Sequence, residues 1–346
     1  MAYTTIDNPG EYFNTVLWTG DGVNGRSLTG VGFQPDWVWS KCTSHAVDHG
    51  LQDSVRGVGK VFHSNSTTAE GTDNWITALN SDGFTLSNSN EVNQDTRTFV
   101  AWNWKAGTAF SNDASSTGVG SIDSSGSVNT TAGFSIIIYT GTGSSATVAH
   151  GLGVAPNVII TKKRNGTAQP NFQNSMRGYG EYLALSTTEA SQATGGAIIS
   201  AASSTTYSCD GNDVVNLDSA TYVSYCFAQK QGYSKFGSYV GNGNANGPHL
   251  YTGFKPAFII LKRTDSANNW HLADNKRLNP YNVTSAQMYP NLANAHAEQA
   301  DLDILSNGFK IRQAHAFMNA SGGAYIYMAF AENPFVTSKG VPTTAR

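Results

Sequence analysis

The stretch Gly32-Phe-Gln-Pro-Asp-Trp-Val-Trp-Ser-Lys41 decides the fold, because two related stretches follow it along the chain. They read Gly153-Val-Ala-Pro-Asn-Val-Ile-Ile-Thr-Lys162 and Gly253-Phe-Lys-Pro-Ala-Phe-Ile-Ile-Leu-Lys262. In all three, a lysine lies six residues after the proline, and most residues between them are β-branched or aromatic. A short apolar run that begins at proline predicts a buried strand rather than a helix.

The blocks on either side of this strand recur in the same order. Upstream, an aromatic residue leads into a Gly-x-Gly turn, in Trp18-Thr-Gly-Asp-Gly22, Tyr139-Thr-Gly-Thr-Gly143 and Tyr239-Val-Gly-Asn-Gly243. Downstream, an arginine lies 15 residues after the lysine in every copy, so no insertion separates the two positions. The repeated prolines and arginines are Pro35, Pro156, Pro256, Arg56, Arg177 and Arg277.

Each copy ends in an aromatic strand that begins six residues after an asparagine, at Asn93, Asn216 and Asn319. In the first copy this strand reads Phe99-Val-Ala-Trp-Asn-Trp104. Its side chains alternate with a period of two residues, which is typical of a strand. Blocks in one order with matched spacings predict three diverged copies of one β-rich module, each roughly 100 residues long.

The fold class predicted from this repeat is all-β, with three tandem antiparallel β-sandwich (jelly-roll-like) modules. The repeated prolines lie 121 residues apart between the first two copies and 100 residues apart between the last two. The excess falls in a stretch rich in serine and glycine, which we interpret as a linker. The predicted divisions are an N-terminal arm at 1–10, module 1 at 11–107, the Ser/Gly-rich linker at 108–132, module 2 at 133–232, module 3 at 233–335 and a C-terminal tail at 336–346.

Helix signals are weak. Three short segments rich in alanine, serine or threonine, at 66–70, 187–193 and 293–300, are candidates for single helical turns. Everything else in the repeat indicates strands and turns.

The composition limits the classes of partner. Charged residues make up 13% of the chain and the net charge is −3, so no nucleic-acid partner is expected. The apolar runs are far shorter than a membrane span and the N-terminus lacks the pattern of a signal peptide, so a soluble protein without a membrane partner is expected. The three cysteines, Cys42, Cys209 and Cys226, imply neither a zinc site nor a disulfide framework.

No motif for catalysis or cofactor binding recurs in the copies. His45, Asp48 and His49 are interpreted as a surface loop, and Asp210-Gly-Asn-Asp213 as a turn, rather than as cation sites. A glycosidase needs two carboxylates that flank the scissile bond, and no such pair recurs. We therefore predict no enzymatic activity, no metal and no cofactor. The carboxylates considered are Asp48, Asp53, Asp82, Glu91, Asp274 and Asp301.

The repeated arginines have a functional and a structural interpretation. A guanidinium binds ligands well, but it also hydrogen-bonds loop carbonyls or a carboxylate within its own module. The second interpretation is favoured, because a residue kept in three copies serves what the copies share. Among the aromatic residues, Trp102, Trp104, Tyr225 and Phe227 are predicted to lie in the core. Trp75 and Trp270 lie outside the apolar runs and are candidates for stacking on sugar rings, with half-buried loop aromatics as the alternative.

These blocks resemble a module repeated in structural and tail-fibre-like proteins of tailed bacteriophages, especially marine and cyanobacterial phages. The resemblance covers about residues 11 to 335. Arg277-Leu278 and Thr206-Tyr207 depart from the pattern of the first copy. The phrases that carry it include Tyr12-Phe-Asn-Thr-Val-Leu-Trp-Thr-Gly20, Asp53-Ser-Val-Arg-Gly57, Ser81-Asp-Gly-Phe-Thr-Leu86, Tyr233-Ser-Lys-Phe-Gly-Ser-Tyr239 and Tyr325-Ile-Tyr-Met-Ala-Phe-Ala-Glu-Asn-Pro334.

The resemblance implies a virion protein on the exterior of the particle, synthesised in the host cytoplasm. The expected role is a tail-fibre or spike-type adhesin that binds the host surface. A capsid decoration or another purely structural protein, and a glycan depolymerase, are the alternatives. The resemblance also implies other virion proteins and a host surface glycan or receptor as partners, and a homo-oligomer, with a trimer expected by family analogy.

Overall fold

The computed structural model describes residues 2–193, 198–277, 282 and 284–343. It confirms the predicted all-β class, because the described chain forms antiparallel sheets with two four-residue α-helices and one 3-10 helix at Pro9–Glu11. None of the described helices is long and apolar enough to span a membrane.

Module 1 consists of a four-stranded sheet and a three-stranded sheet, called here the inner and the outer sheet. The inner sheet has the order β1-β7-β3-β4 and the outer sheet the order β2-β6-β5. The strands are β1 (Phe13–Thr19), β2 (Arg26–Thr29), β3 (Trp37–Cys42), β4 (Gly50–Asp53), β5 (Ile76–Asn80), β6 (Gly83–Leu86) and β7 (Thr98–Trp104).

Module 2 has an inner sheet of eight strands and an outer sheet of three. Its elements are β8 (Thr108–Asn112), α1 (Ala114–Thr117), β9 (Ser124–Asn129), β10 (Phe134–Thr140), β11 (Ala146–Ala149), β12 (Val158–Lys163), β13 (Asn171–Asn174), β14 (Glu181–Ala184), β15 (Gln192–Ala193), β16 (Ile199–Ala202), β17 (Thr206–Cys209) and β18 (Thr221–Phe227). The inner sheet has the order β15-β14-β13-β12-β18-β10-β9-β8, and the outer sheet has the order β11-β17-β16.

Module 3 has four strands in each sheet. Its elements are β19 (Ser234–Val240), β20 (His249–Tyr251), β21 (Phe254–Arg263), β22 (His271–Asp274), β23 (Thr284–Gln287), β24 (Ala297–Leu305), β25 (Gly308–Ile311), α2 (Ala316–Asn319) and β26 (Ala324–Pro334). The inner order is β19-β26-β21-β22, and the outer order is β20-β25-β24-β23. The same four-strand order therefore recurs in every inner sheet, as β1-β7-β3-β4, β10-β18-β12-β13 and β19-β26-β21-β22.

The repeated asparagine explains the Gly-x-Gly turn. In each module its side-chain oxygen accepts a hydrogen bond from the middle residue of that turn, and its amide donates to a carbonyl just beyond it, at 2.6–3.3 Å. The first glycine of the turn is required because a Cβ there would lie 2.0–2.3 Å from a backbone oxygen, and the second because its φ is near +70°. The asparagines are Asn93, Asn216 and Asn319, and all three are fully buried.

The aromatic residue before each turn completes this arrangement. Trp18, Tyr139 and Tyr239 each donate a side-chain hydrogen bond to the carbonyl of the residue before the asparagine, at 2.6–2.8 Å. Trp18 can take the place of a tyrosine in module 1, because its indole N–H, like a phenol O–H, is a hydrogen-bond donor at the edge of a flat ring. The first strand of each module is thereby fastened to the loop that leads into the closing strand.

Each module encloses its own apolar core between its inner and outer sheets. The opposite faces of the three inner sheets meet in one further core, called here the central core. At its middle, the rings of Trp104, Phe227 and Phe330 contact one another edge-to-face, with centroids 5.5–6.4 Å apart. These residues occupy one position of the closing strand, so the modules are arranged around a pseudo-threefold axis. Trp102 and Tyr225 also lie in the central core, as predicted.

The predicted linker at 108–132 differs most from the structure. Residues 108–129 contain two strands, β8 and β9, and β9 pairs with β10 along the edge of the module 2 inner sheet. A Ser/Gly-rich composition indicates flexibility, but it also suits a hairpin wherever an open sheet edge offers backbone partners. Module 1 is therefore not held apart from the others: it shares the central core with them.

The N-terminal arm and the C-terminal tail are also packed. Ile6 is buried in the central core, and Thr4 donates to the carbonyl of Gln231 at 2.8 Å. The Asp7 carboxylate accepts two hydrogen bonds of 2.6 Å from Ser338. Arm and tail therefore contact each other, and the arm also contacts the central core.

The three predicted helical segments form interface loops instead. They overlap loops 63–70, 185–191 and 289–296, called here the clamp loops, whereas 192–193 form β15 and 297–300 begin β24. In each clamp loop, one carbonyl and one N–H bond the backbone of the adjacent module, at 2.7–3.0 Å. The pairs are Ala168 N to Thr67 O and Glu70 N to Arg164 O, Asn268 N to Thr188 O and Ser191 N to Thr264 O, and Val47 N to Ala293 O and His296 N to Thr43 O. Module 1 thus clamps module 2, module 2 clamps module 3, and module 3 clamps module 1, which closes a ring.

Candidate functional site

Two of the three repeated arginines, Arg56 and Arg277, lie at interfaces of this ring. Between modules 1 and 2, Asp53 ends β4, and one of its carboxylate oxygens accepts the backbone N–H groups of Val55 and Arg56. The other oxygen accepts from Arg56 Nε at 2.5 Å and from the Tyr225 hydroxyl at 2.7 Å. Burial lowers the pKa of Arg56, but Asp53, Tyr225 and Glu70 together raise it by more, so the guanidinium stays charged.

The remaining nitrogens of Arg56 are also bonded. Nη2 donates to the carbonyl of Leu51 at 2.9 Å, and Nη1 faces Glu70 Oε2 at 3.3 Å. Glu70 lies on the clamp loop and holds Arg164 of module 2 through both of its oxygens, at 2.9 and 3.1 Å. Arg56 is therefore a buried cation with a hydrogen bond at each of its three nitrogens.

The interface between modules 3 and 1 repeats the first half of this arrangement. Asp274 accepts Arg277 Nε at 2.5 Å, and Trp102 Nε1 at 3.1 Å in the place of the Tyr225 hydroxyl. The second half is missing. Arg277 is 2% exposed, yet neither Nη1 nor Nη2 has a hydrogen-bond partner within the part of the chain that the structure describes.

The interface between modules 2 and 3 has lost the buried pair. Asn174 replaces the aspartate, and the position of Tyr225 and Trp102 is taken by Met328, which has no donor. Arg177 is exposed and pairs with Glu181 at 2.9 Å. The aspartate and the donor on the closing strand are therefore present together or absent together.

Three buried lysines are a feature that the sequence analysis missed. The proline-led strand of each module ends at a buried lysine, Lys41, Lys162 or Lys262. A charged residue that recurs at the end of a strand predicted to be buried could have indicated this burial. Lys162 donates to the carbonyls of Thr67 and Ala168, and Lys262 to those of Thr188 and Asn268, so both reach the neighbouring clamp loop. Burial lowers the pKa of Lys162 to about 7, and those of Lys41 and Lys262 to about 8.

The two candidate stacking residues are not available at the surface. Trp75 is 4% exposed and packs in the core of module 1. Trp270 is 1% exposed and donates its indole N–H to the carbonyl of Ala184 across the interface between modules 3 and 2. Neither ring presents a face for a sugar, so this hypothesis is corrected: both are interior residues.

The candidate carboxylates are dispersed. Asp82 accepts the N–H groups of Gly30 and Gly32, bonds that lower its pKa, and Asp48 accepts from Asn65. Asp301 is 1% exposed and has no hydrogen-bond partner for its carboxylate among the described residues, and burial raises its pKa to about 7. His271 lies 3.9 Å from it, but burial lowers the pKa of this imidazole to about 3, so the contact is not an ion pair.

The candidate cation residues have other roles. His49 is buried, accepts the indole N–H of Trp39 and donates to the carbonyl of Tyr289 of module 3. Asp213 pairs with Lys163 at 2.5 Å. No three His, Cys, Asp or Glu side chains among the described residues are grouped as a metal site requires. The cysteines are free thiols, each buried.

Comparison with known proteins yields one match. A search with this chain matches no curated protein and no solved structure. A family model described as "Domain of unknown function (DUF7483)" matches residues 8–334, a range that runs through all three modules. The chain therefore belongs to the DUF7483 family.

Proposed function

We propose that this chain is a structural protein on the exterior of a tailed-phage particle, and that it serves there as a tail-fibre or spike-type adhesin. The observation that carries the proposal is the closed ring, because the clamp loops, the central core and buried residues such as Arg56, Lys162 and Lys262 hold the modules to one another. Such a scaffold presents three sets of outer loops on a rigid body. Binding residues are commonly found on loops that a rigid scaffold holds in position.

The composition supports the same proposal. With 13% charged residues, a surface rich in hydroxyl and amide groups suits contact with host glycans and with other virion proteins. We further propose that the protein assembles as a homo-oligomer, with a trimer as the expected form. Light scattering from the purified protein tests that state.

The location is tested by a reconstruction of the intact particle. We expect density for the three-module ring at the tail or its fibres. Density on the capsid lattice would contradict the adhesin and identify a decoration protein instead.

The adhesin role has its own test. Purified protein should bind host cells and slow adsorption of the phage when it is added first, whereas heat-denatured protein should not. Absence of competition at saturating protein would contradict host binding. The same protein incubated with host surface polysaccharide should release no reducing ends, and their release would identify a depolymerase.

A further inference from the structure

The interface between modules 3 and 1 contains a crevice of about 430 Å³, which Arg277, His296, Thr43, Leu17 and Phe99 line. The matching place between modules 1 and 2 shows what is missing from it. There, the Glu70 carboxylate lies between Arg56 and Arg164. Because the two clamp loops make equivalent backbone hydrogen bonds, His296 occupies the position of Glu70, and Thr43 that of Arg164.

These two replacements remove a carboxylate from Arg277 and open space beside it. In the other interface, Nη1 and Nη2 of Arg56 donate to Glu70, Leu51 and Tyr225. The same two nitrogens of Arg277 have no hydrogen-bond partner among the described residues. A buried guanidinium without partners is costly, since its desolvation is not offset by hydrogen bonds. An imidazole carries no negative charge in either protonation state, so His296 cannot replace the carboxylate, and burial and then the Arg277 charge lower its pKa.

We propose that this crevice binds a ligand carboxylate, which takes the place that the Glu70 carboxylate takes between modules 1 and 2. The planar guanidinium of Arg277 offers two N–H groups to the two oxygens of one carboxylate, the geometry that arginine recognises best. His296, half-buried on the clamp loop, turns aside to admit the ligand, and Leu17 and Phe99 contact its apolar part. The carboxylate comes from an acidic sugar or from an acidic peptide side chain. The inference does not depend on where the protein functions.

The decisive variant is His296→Glu, which supplies the carboxylate from within the chain. It should raise the melting temperature by about 2–4 °C, because it satisfies Arg277 as Glu70 satisfies Arg56. It should also abolish ligand binding by occupying the site. The matched control is Ser191→Glu, the same substitution at the equivalent clamp position, where Arg177 is exposed and the new carboxylate would meet Glu181, so it should lower the melting temperature rather than raise it. This control should keep the binding of the unmodified chain.

The measurement is thermal unfolding and titration calorimetry of the full chain with sodium D-glucuronate, N-acetylglutamate and, as an ionic-strength control, sodium chloride. A saturable rise in melting temperature with either acid, absent with chloride and lost in His296→Glu, supports the site. Preference for glucuronate assigns the ligand to acidic sugars, and preference for N-acetylglutamate assigns it to peptides. Absence of saturable binding by both acids, or equal binding by wild type and His296→Glu, would overturn the proposal. Host adsorption plays no part in these assays, so their failure is separate from failure of the adhesin.

Discussion

Arg56, Arg177 and Arg277 occupy one position of the repeat in three different surroundings. Spacing identified the position, but the surroundings depend on residues far away in sequence: Tyr225 for Arg56 and Trp102 for Arg277. One module supplies the aspartate and the next supplies the donor. For this reason the sequence of a single copy does not show which arginine is buried. The difference between Asp53, Asn174 and Asp274 across the copies does indicate it, since only an aspartate supplies the counter-charge.

The arginines predict unequal effects of the same substitution. Arg56→Ala leaves the buried Asp53 carboxylate without its cation, so we expect the free energy of unfolding to fall by about 3–5 kcal/mol. Arg177→Ala removes an exposed pair, so the loss should be within about 1 kcal/mol. Denaturant unfolding of both variants checks this. Equal losses would show that burial does not distinguish the two positions.

Asp301 predicts a pH dependence. Its pKa is raised to about 7 in the folded chain, above the ordinary value of 3.8 that applies when the chain is unfolded. Between pH 4 and pH 7 the unfolded chain therefore releases a proton that the folded chain keeps, and this group's contribution to stability falls as the pH rises, by about 1.4 kcal/mol per pH unit. Asp301→Asn cannot ionise and should be more stable than wild type at pH 8.

The control for this prediction is Asp303→Asn on the same strand, whose carboxylate faces Arg312 at 3.5 Å. It should keep the wild-type decline between pH 4 and pH 7, measured by urea unfolding at fixed pH values. An Asp301→Asn variant that declines as steeply as wild type would show that Asp301 is not the group responsible.

At the scale of elements, the Gly-x-Gly turn is the best understood feature. The sequence predicted the turn because the positive φ of its second glycine is a local requirement, whereas the close approach at its first glycine involves a loop far away in sequence. Gly141→Ala should destabilise the protein by about 1–3 kcal/mol, because the new Cβ would lie 2.2 Å from the carbonyl oxygen of Leu217. Thermal unfolding measures this loss.

Gly180→Ala serves as the control, since nothing lies within 4 Å of a Cβ at that position. Its effect should stay within about 0.5 kcal/mol, as for most surface substitutions. If Gly141→Ala and Gly180→Ala change the free energy of unfolding equally, the close contact between Gly141 and the loop before β18 is not what requires a glycine at position 141.

The clamp loops and the β8–β9 hairpin mark the limit of prediction at this scale. Strands β3, β12 and β21 were predictable, because apolar runs after proline encode burial directly. The clamp loops carry alanine, serine and threonine, and what fixes their extended conformation is a backbone partner in the adjacent module. The hairpin likewise depends on the free edge of β10. Neither partner is visible in a window of local sequence.

At the scale of the whole molecule, the three modules form a closed ring rather than a linear array of independent domains. A module of about 100 residues is at the small end of the domain range and buries less of its surface than a larger domain. Here each module exposes one face of its inner sheet unless the other two cover it, and Trp104, Phe227 and Phe330 meet only when all three are assembled. The family match across 8–334 agrees with a unit of three modules.

The ring therefore predicts that all three modules unfold together. Six of the seven tryptophans lie in module 1 and one in module 3, so tryptophan fluorescence reports mainly on module 1, whereas far-UV circular dichroism reports on every sheet. In guanidinium chloride the two signals should give one midpoint. Phe330→Ala, in module 3, removes a ring from the central core and should lower both midpoints equally, with a loss of about 3–5 kcal/mol. If Phe330→Ala shifts the dichroism midpoint but not the fluorescence midpoint, module 1 unfolds independently of the other two. The central core would then not couple the modules, and residues 108–132 would act as the flexible linker that the sequence predicted.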